Sequence, residues 1–145
     1  MSKPFSQELY TENDDAKNLI IEYLKSKGYQ AFVNPDKYGI DLMYYEVTDS
    51  SDPDTQYCEV EVKHNWKGPV FPFETVHFPV RKSKFAKPNA MFAMLNHERT
   101  HVLFISGQQF IDAPRIKKDT IYTRNEEFIE IKISDCKIEK LQEKE

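Results

Sequence analysis

The chain is predicted to be an α+β fold with α/β/α layering, a mixed central sheet flanked by helices. Three observations predict it. One amphipathic helix leads, two alternating strands joined by a polar loop follow, and further short strands then flank a basic helical segment. The chain has 145 residues, 39% of them hydrophobic. That is enough for a single core, so 1–145 is read as one domain.

The leading helix is expected over residues 11–27. Thr11 can cap it, and Glu12, Asp14 and Asp15 fill its first turn. Lys25 and Lys27 occupy the last turn before Gly28. Ala16, Leu19, Ile20, Tyr23 and Leu24 share one face. A wheel of about 100° per residue puts Glu12 on that apolar face, whereas Asp14 and Asp15 turn toward solvent.

A short extended segment at Tyr29–Val33 and the turn Asn34-Pro35-Asp36 lead into a strand at 38–47. The polar loop 48–55 closes a hairpin onto a strand at 56–65. Here Cys58, Val60, Val62 and His64 alternate with Glu59, Glu61, Lys63 and Asn65. His64 is read as a core histidine. Beyond the Pro- and aromatic-rich stretch 66–79, a strand is expected near Thr75–Val80 and a basic helix over 81–87. A hairpin of 90–95 with 101–106 comes next, then one or two strands within 120–133 and a charged helix over the last dozen residues.

Net charge is −4, a balance that alone argues against a polyanionic partner. The distribution reverses the argument. Residues 1–61 hold 5 Lys/Arg against 13 Asp/Glu, residues 62–118 hold 10 against 3, and residues 119–145 hold 5 against 8. A basic middle can present a local positive face to nucleic acid. The segment richest in positive charge is Arg81, Lys82, Lys84 and Lys87, suited to gripping phosphates.

No apolar run is long enough to cross a bilayer and MSKPFSQELY lacks a signal-peptide core, so a soluble, cytoplasmic protein is expected. Cys58 and Cys136 lie in no CxxC or Cys/His array, which argues against structural zinc and against a disulfide. His97 and His101 flank a hairpin turn without a third ligand. The sequence contains no Gly-rich phosphate loop and no nucleophile elbow.

The informative constellation is an Asp on one strand and Glu-x-Lys on the next. Glu61 and Lys63 share a strand face, and antiparallel pairing can bring Asp41 beside them. Carboxylates gathered with an ammonium repel one another and lose solvation, a cost that a divalent cation removes. Asp41 and Glu61 offer hard oxygen ligands suited to Mg²⁺, and the Val62 carbonyl can add another. Glu130-Ile131-Lys132 is an internal control: the same tripeptide without an upstream Asp hairpin, read as a solvated strand face.

With YGID at 38–41 and EVK at 61–63 behind a leading helix, the chain resembles the PD-(D/E)xK nuclease superfamily, the restriction-endonuclease-like or resolvase-like fold. The resemblance runs from residue 12 to about 106. It implies a core of helix, hairpin, strand, helix and strand. It implies Asp41 and Glu61 as metal ligands, Lys63 as the lysine acting on the attacking water or the phosphorane, and a helix acid, Glu12 first and Asp15 second. The activity implied is Mg²⁺-dependent hydrolysis of DNA phosphodiester bonds, with Mn²⁺ substituting, by an endonuclease. Small resolvase-like, phage-type and restriction-type relatives, many of them homodimers, suggest a homodimer here.

Two other classes fit the same residues. One is a non-catalytic nucleic-acid-binding or scaffolding protein of this fold. The other is an interaction domain whose acidic stretch takes a basic partner. Trp66, Phe71 and Phe73 admit two readings, stacking on exposed bases or packing a loop on the core.

Overall fold

A computed structural model describes residues 7–47, 54–119 and 126–141, with side chains from residue 15 onward. Helix α1 (Gln7–Ser26) starts before the predicted Thr11 cap. It buries Ala16, Ile20, Ile21 and Leu24, the stripe read from the sequence. The helix stops where Gly28 takes φ 97°, a left-handed angle that costs glycine little, with its amide bonded to the Lys25 carbonyl at 3.1 Å.

Strands β1 (Tyr29–Val33), β2 (Leu42–Glu46) and β3 (Gln56–Val62) form an antiparallel run, with Ala31 opposite Tyr44 and Leu42 opposite Cys58. The chain then leaves this sheet through β4 (Thr75–Pro79) and a 3-10 helix, Val80–Phe85. It returns as β5 (Ala90–Leu95), parallel to β3, with Glu61 opposite Met94. The order helix, hairpin, strand, helical turn, parallel strand is therefore present.

The hairpin partner β6 (His101–Ser106) runs into α2 (Gly107–Asp112), whose Ser106 and Gln109 form a capping box. β7 (Arg115–Lys118), β8 (Glu126–Lys132) and β9 (Lys137–Lys140) complete the described chain. The central mixed sheet has the order β1-β2-β3-β5-β6-β9, and a smaller antiparallel sheet has the order β4-β8-β7.

Helices flank the central sheet on both sides, as expected for the class, but the two faces are covered differently. Leu42, Cys58, Val62 and Leu95 pack under α1. Phe92, Met94, Leu103 and Ile105 pack against Phe110 of α2 and against Val76, Phe78, Ile129 and Ile131 of the smaller sheet. Each layer removes apolar area from water at about 25 cal/mol per Å². Because Glu59 and Glu61 lie opposite Phe92 and Met94, the charged face of β3 belongs to the second side.

Three expectations are corrected, and one strand is found where it was expected. The last dozen residues contain strand β9 rather than a helix: Leu103 pairs with Ile138, and Leu141 is buried. The strand expected near Thr75–Val80 is present as β4 and joins the smaller sheet, together with β7, which local pattern did not announce. His64 is exposed, because β3 ends at Val62 and the chain turns at once, the Trp66 amide bonding the Lys63 carbonyl at 3.0 Å. Glu130 is not a purely solvated residue, since it pairs with His77 at 2.9 Å. Of the three loop aromatics, Trp66 and Phe71 are buried and Phe73 is exposed.

Candidate active site

The site begins in the loop 34–41, which is fixed by its own polar side chains. The Asp36 amide bonds Asn34 Oδ1 at 3.0 Å, the Tyr38 amide bonds Asp36 Oδ1 at 3.1 Å, and Asn34 Nδ2 donates to the Ile40 carbonyl at 2.9 Å. With Ile40 buried, Asp41 is held at the mouth of β2. The Asp41 amide donates to Glu59 Oε1 at 3.1 Å, and Asp41 Oδ2 accepts the Val60 amide at 3.0 Å.

Two lysines flank this acid pair. Lys17 of α1 stands 3.5 Å from Asp41 Oδ1, and Lys82 of the 3-10 helix stands 3.2 Å from Glu59 Oε2. Glu59 is only 7% exposed. Burial first, and then the Asp41 charge and hydrogen bond, push its pKa up to about 7 against the opposing pull of Lys82. Glu61, one step along the same strand face, pairs with Lys63 at 3.5 Å, and the Lys63 ammonium lies 5.6 Å from the Phe78 ring centre.

Asp41 is thus engaged with Glu59 and Lys17, and Glu61 with Lys63. The two partners that sequence reasoning missed are Glu59 and Lys17. A signal for Glu59 existed, since alternation put it on the face of Glu61 and Lys63. None existed for Lys17, whose long side chain reaches Asp41 from the flank of the helix stripe. Val62 ends β3 opposite Leu95 with its side chain in the core under α1. Glu12 lies within α1, its side chain outside the described residues, and Asp15 is exposed.

Of the basic cluster, Lys82 turns inward to Glu59. Arg81 points outward, 3.9 Å from Glu126, and Lys84 lies over the Phe85 ring. Lys87 is exposed and lines, with Lys84, Tyr38 and Tyr57, an open groove of about 530 Å³. A second groove of about 450 Å³ starts at Lys63 and Asn65 and runs along His77, Lys118 and Phe73. Tyr57 and Lys63 stand at opposite ends of the β3 face, so the acids lie between the two grooves.

Hard carboxylate oxygens set side by side, one of them raised in pKa by burial first and then by the other's charge, suit a divalent cation. Among the described residues, no cluster of three or more His, Cys, Asp or Glu ligands is assembled around a common point. No helix among them is long and apolar enough to cross a membrane.

No family model matches the chain, and no curated protein matches it in sequence. In backbone path the chain is similar to Hjc, a Holliday junction resolvase from the archaeal hyperthermophile Archaeoglobus fulgidus. The two share 12% identity over 85% of each chain, with a TM-score of 0.47.

Proposed function

We propose that this chain is a divalent-metal-dependent nuclease that hydrolyses phosphodiester bonds in DNA as an endonuclease. The observation that carries the reading is the row of Glu59, Glu61 and Lys63 on one face of β3, with Asp41 hydrogen-bonded to its buried end. Asp41 and Glu61, with Glu59 added to the set foreseen from the sequence, would hold Mg²⁺ or Mn²⁺. Glu12 and the Val62 carbonyl would be the further ligands. When bound, the cation supplies charge for the developing phosphorane and lowers the pKa of water.

The protein's own groups do the rest. Asp41 is oriented by the Val60 amide, so its second oxygen, now facing Lys17, remains available. Lys63, paired with Glu61 at 3.5 Å, would donate to the attacking water or to a phosphate oxygen. Arg81, Lys84 and Lys87 would take phosphates of the bound strand, and Lys82 neutralises Glu59.

A second reading, a DNA-binding or scaffolding protein without catalysis, draws on one observation. Lys17, Lys82 and Lys63 already neutralise Asp41, Glu59 and Glu61 without any ion. Cleavage of supercoiled plasmid, linear duplex, single strand and a four-way junction, in Mg²⁺, Mn²⁺ and EDTA, separates the two. The nuclease cuts only with metal, and Lys63→Ala cuts at least about 100-fold more slowly. A folded protein that binds these substrates and cuts none is the second kind.

A further inference from the structure

We propose that the groove beginning at Lys63 seats an unpaired nucleotide of the bound DNA, its base against Phe73 and its phosphate on the Lys118 ammonium. The proposal rests on the nucleic-acid reading above and adds the class of substrate: DNA with a single-stranded or frayed segment next to the acidic row. Because Lys63 and Asn65 line its near end, an occupant of the groove lies beside the same lysine.

Size and lining point to a nucleotide. A volume of about 450 Å³ belongs to the range of small-ligand pockets, and a duplex presents phosphates and base edges rather than base faces. The floor offers ring surface. Phe73 is 54% exposed, yet its ring is fixed edge-on against Phe71 at 5.9 Å. Phe71 in turn stands edge-on against the fully buried Trp66 at 5.4 Å. A solvent-facing aromatic on so firm a support is the surface on which an unstacked base can lie.

The polar wall offers one ammonium to an anion, that of Lys118. Lys118 places its ammonium 3.1 Å from His77 Nδ1, and His77 Nε2 stands 2.9 Å from Glu130. An ammonium can only donate, so Lys118 is the donor of its contact with the ring. The Thr75 hydroxyl is 3.3 Å from the same Nε2. Lys118 therefore directs its charge at a ring nitrogen, and a phosphate oxygen would be a stronger acceptor for it. The charged groups beside His77 are Lys118 from β7 and Glu130 from β8, and Lys63, one residue past β3, lines the same groove.

The test is fluorescence anisotropy with three labelled probes: a single strand, a blunt duplex and a duplex with a short overhang. Binding is measured in EDTA and again in Ca²⁺, for wild type, Phe73→Ala and Lys118→Gln. Both residues are exposed, and melting curves check that the variants fold as wild type does. Phe73→Ala is expected to weaken single-strand and overhang binding at least about fivefold and to leave the blunt duplex within about twofold. Lys118→Gln lowers the salt slope of the same two probes by about one.

Two results overturn the proposal: unchanged affinity for both unpaired probes, or an equal loss on the blunt duplex, which would assign the groove to duplex phosphates. Cutting that persists with Phe73-independent binding removes this proposal alone. Phe73-dependent binding without metal-dependent cutting removes catalysis and leaves the groove. A wild type that binds no probe in either condition removes both.

Discussion

Asp41 and Glu59 hold each other through one reciprocal arrangement. The Asp41 amide donates to Glu59 Oε1, and the Asp41 carboxylate takes the amide of the residue that follows Glu59. Backbone thereby fixes both acids at the one place where their charges repel. Their flanking lysines, Lys17 and Lys82, come from different elements, the first helix and the 3-10 helix. Charge at this point therefore couples three parts of the fold.

The first consequence is a pH dependence. Glu59 has its pKa raised from 4.5 to about 7 in the folded chain, so between those values the native state binds a proton that the unfolded state has lost. For a raised acid, stability is greatest below the unfolded pKa and declines as pH rises through the folded one. Metal-free protein should lose about 1–3 kcal/mol from this group between pH 4.5 and 8. Urea denaturation in EDTA reads it, as the difference between wild type and Glu59→Gln. Parallel pH profiles for the two proteins would remove Glu59 as the source.

Lys82 can be tested as the placeholder for a cation. Its ammonium is the foremost influence holding the Glu59 pKa down, so Lys82→Ala raises that pKa further and destabilises the metal-free protein by about 1–3 kcal/mol. With the competitor gone, the rise in Tm on adding Mg²⁺ should become larger than in wild type. A smaller rise would mean that Lys82 supports the cation rather than standing in for it.

Much of this site was legible in the sequence because period-2 alternation is local. Cys58 and Val62 were assigned to one face and Glu59, Glu61 and Lys63 to the other, and the buried core under α1 follows that division. His64 failed because alternation holds only while the strand lasts, and β3 ends at Val62. The C-terminal error has another cause. Charged residues of ordinary helix propensity form β9 because Ile138 and Leu141 find apolar cover beside β6, a non-local gain that outweighs local preference. Glu59 was visible as a face residue and invisible as the partner of Asp41, since strand register is set by the whole hairpin.

Cation binding should appear as stability even without substrate. A ligand at about 100 times its Kd adds about 2.7 kcal/mol, roughly 5–10 °C in Tm for a chain of this size. Mg²⁺ or Mn²⁺ is expected to produce that rise in wild type, and Asp41→Asn to abolish it. The variant should still fold, because an amide oxygen can accept the Val60 amide as the carboxylate does. A full rise retained in Asp41→Asn would take Asp41 out of the ligand set.

Two glycines should answer the same substitution very differently. A Cβ on Gly107 would sit 1.9 Å from the Lys87 carbonyl oxygen and 2.9 Å from the Lys87 amide nitrogen and carbonyl carbon, all backbone atoms. Relief requires α2 or the segment carrying Lys82, Lys84 and Lys87 to move, so Gly107→Ala should cost about 2–4 kcal/mol and weaken DNA binding with it. Gly68 takes φ 82° but has open space around its Cα, so Gly68→Ala meets only backbone strain of about 1–2 kcal/mol. Gly68 lies in the loop between Asn65 and Phe71 and not in the basic segment, so its substitution should leave blunt-duplex affinity within about twofold. Urea midpoints and anisotropy on the two variants check both halves. Equal losses of stability with equal, unchanged affinity would show that the contact between Lys87 and Gly107 does not position the basic segment.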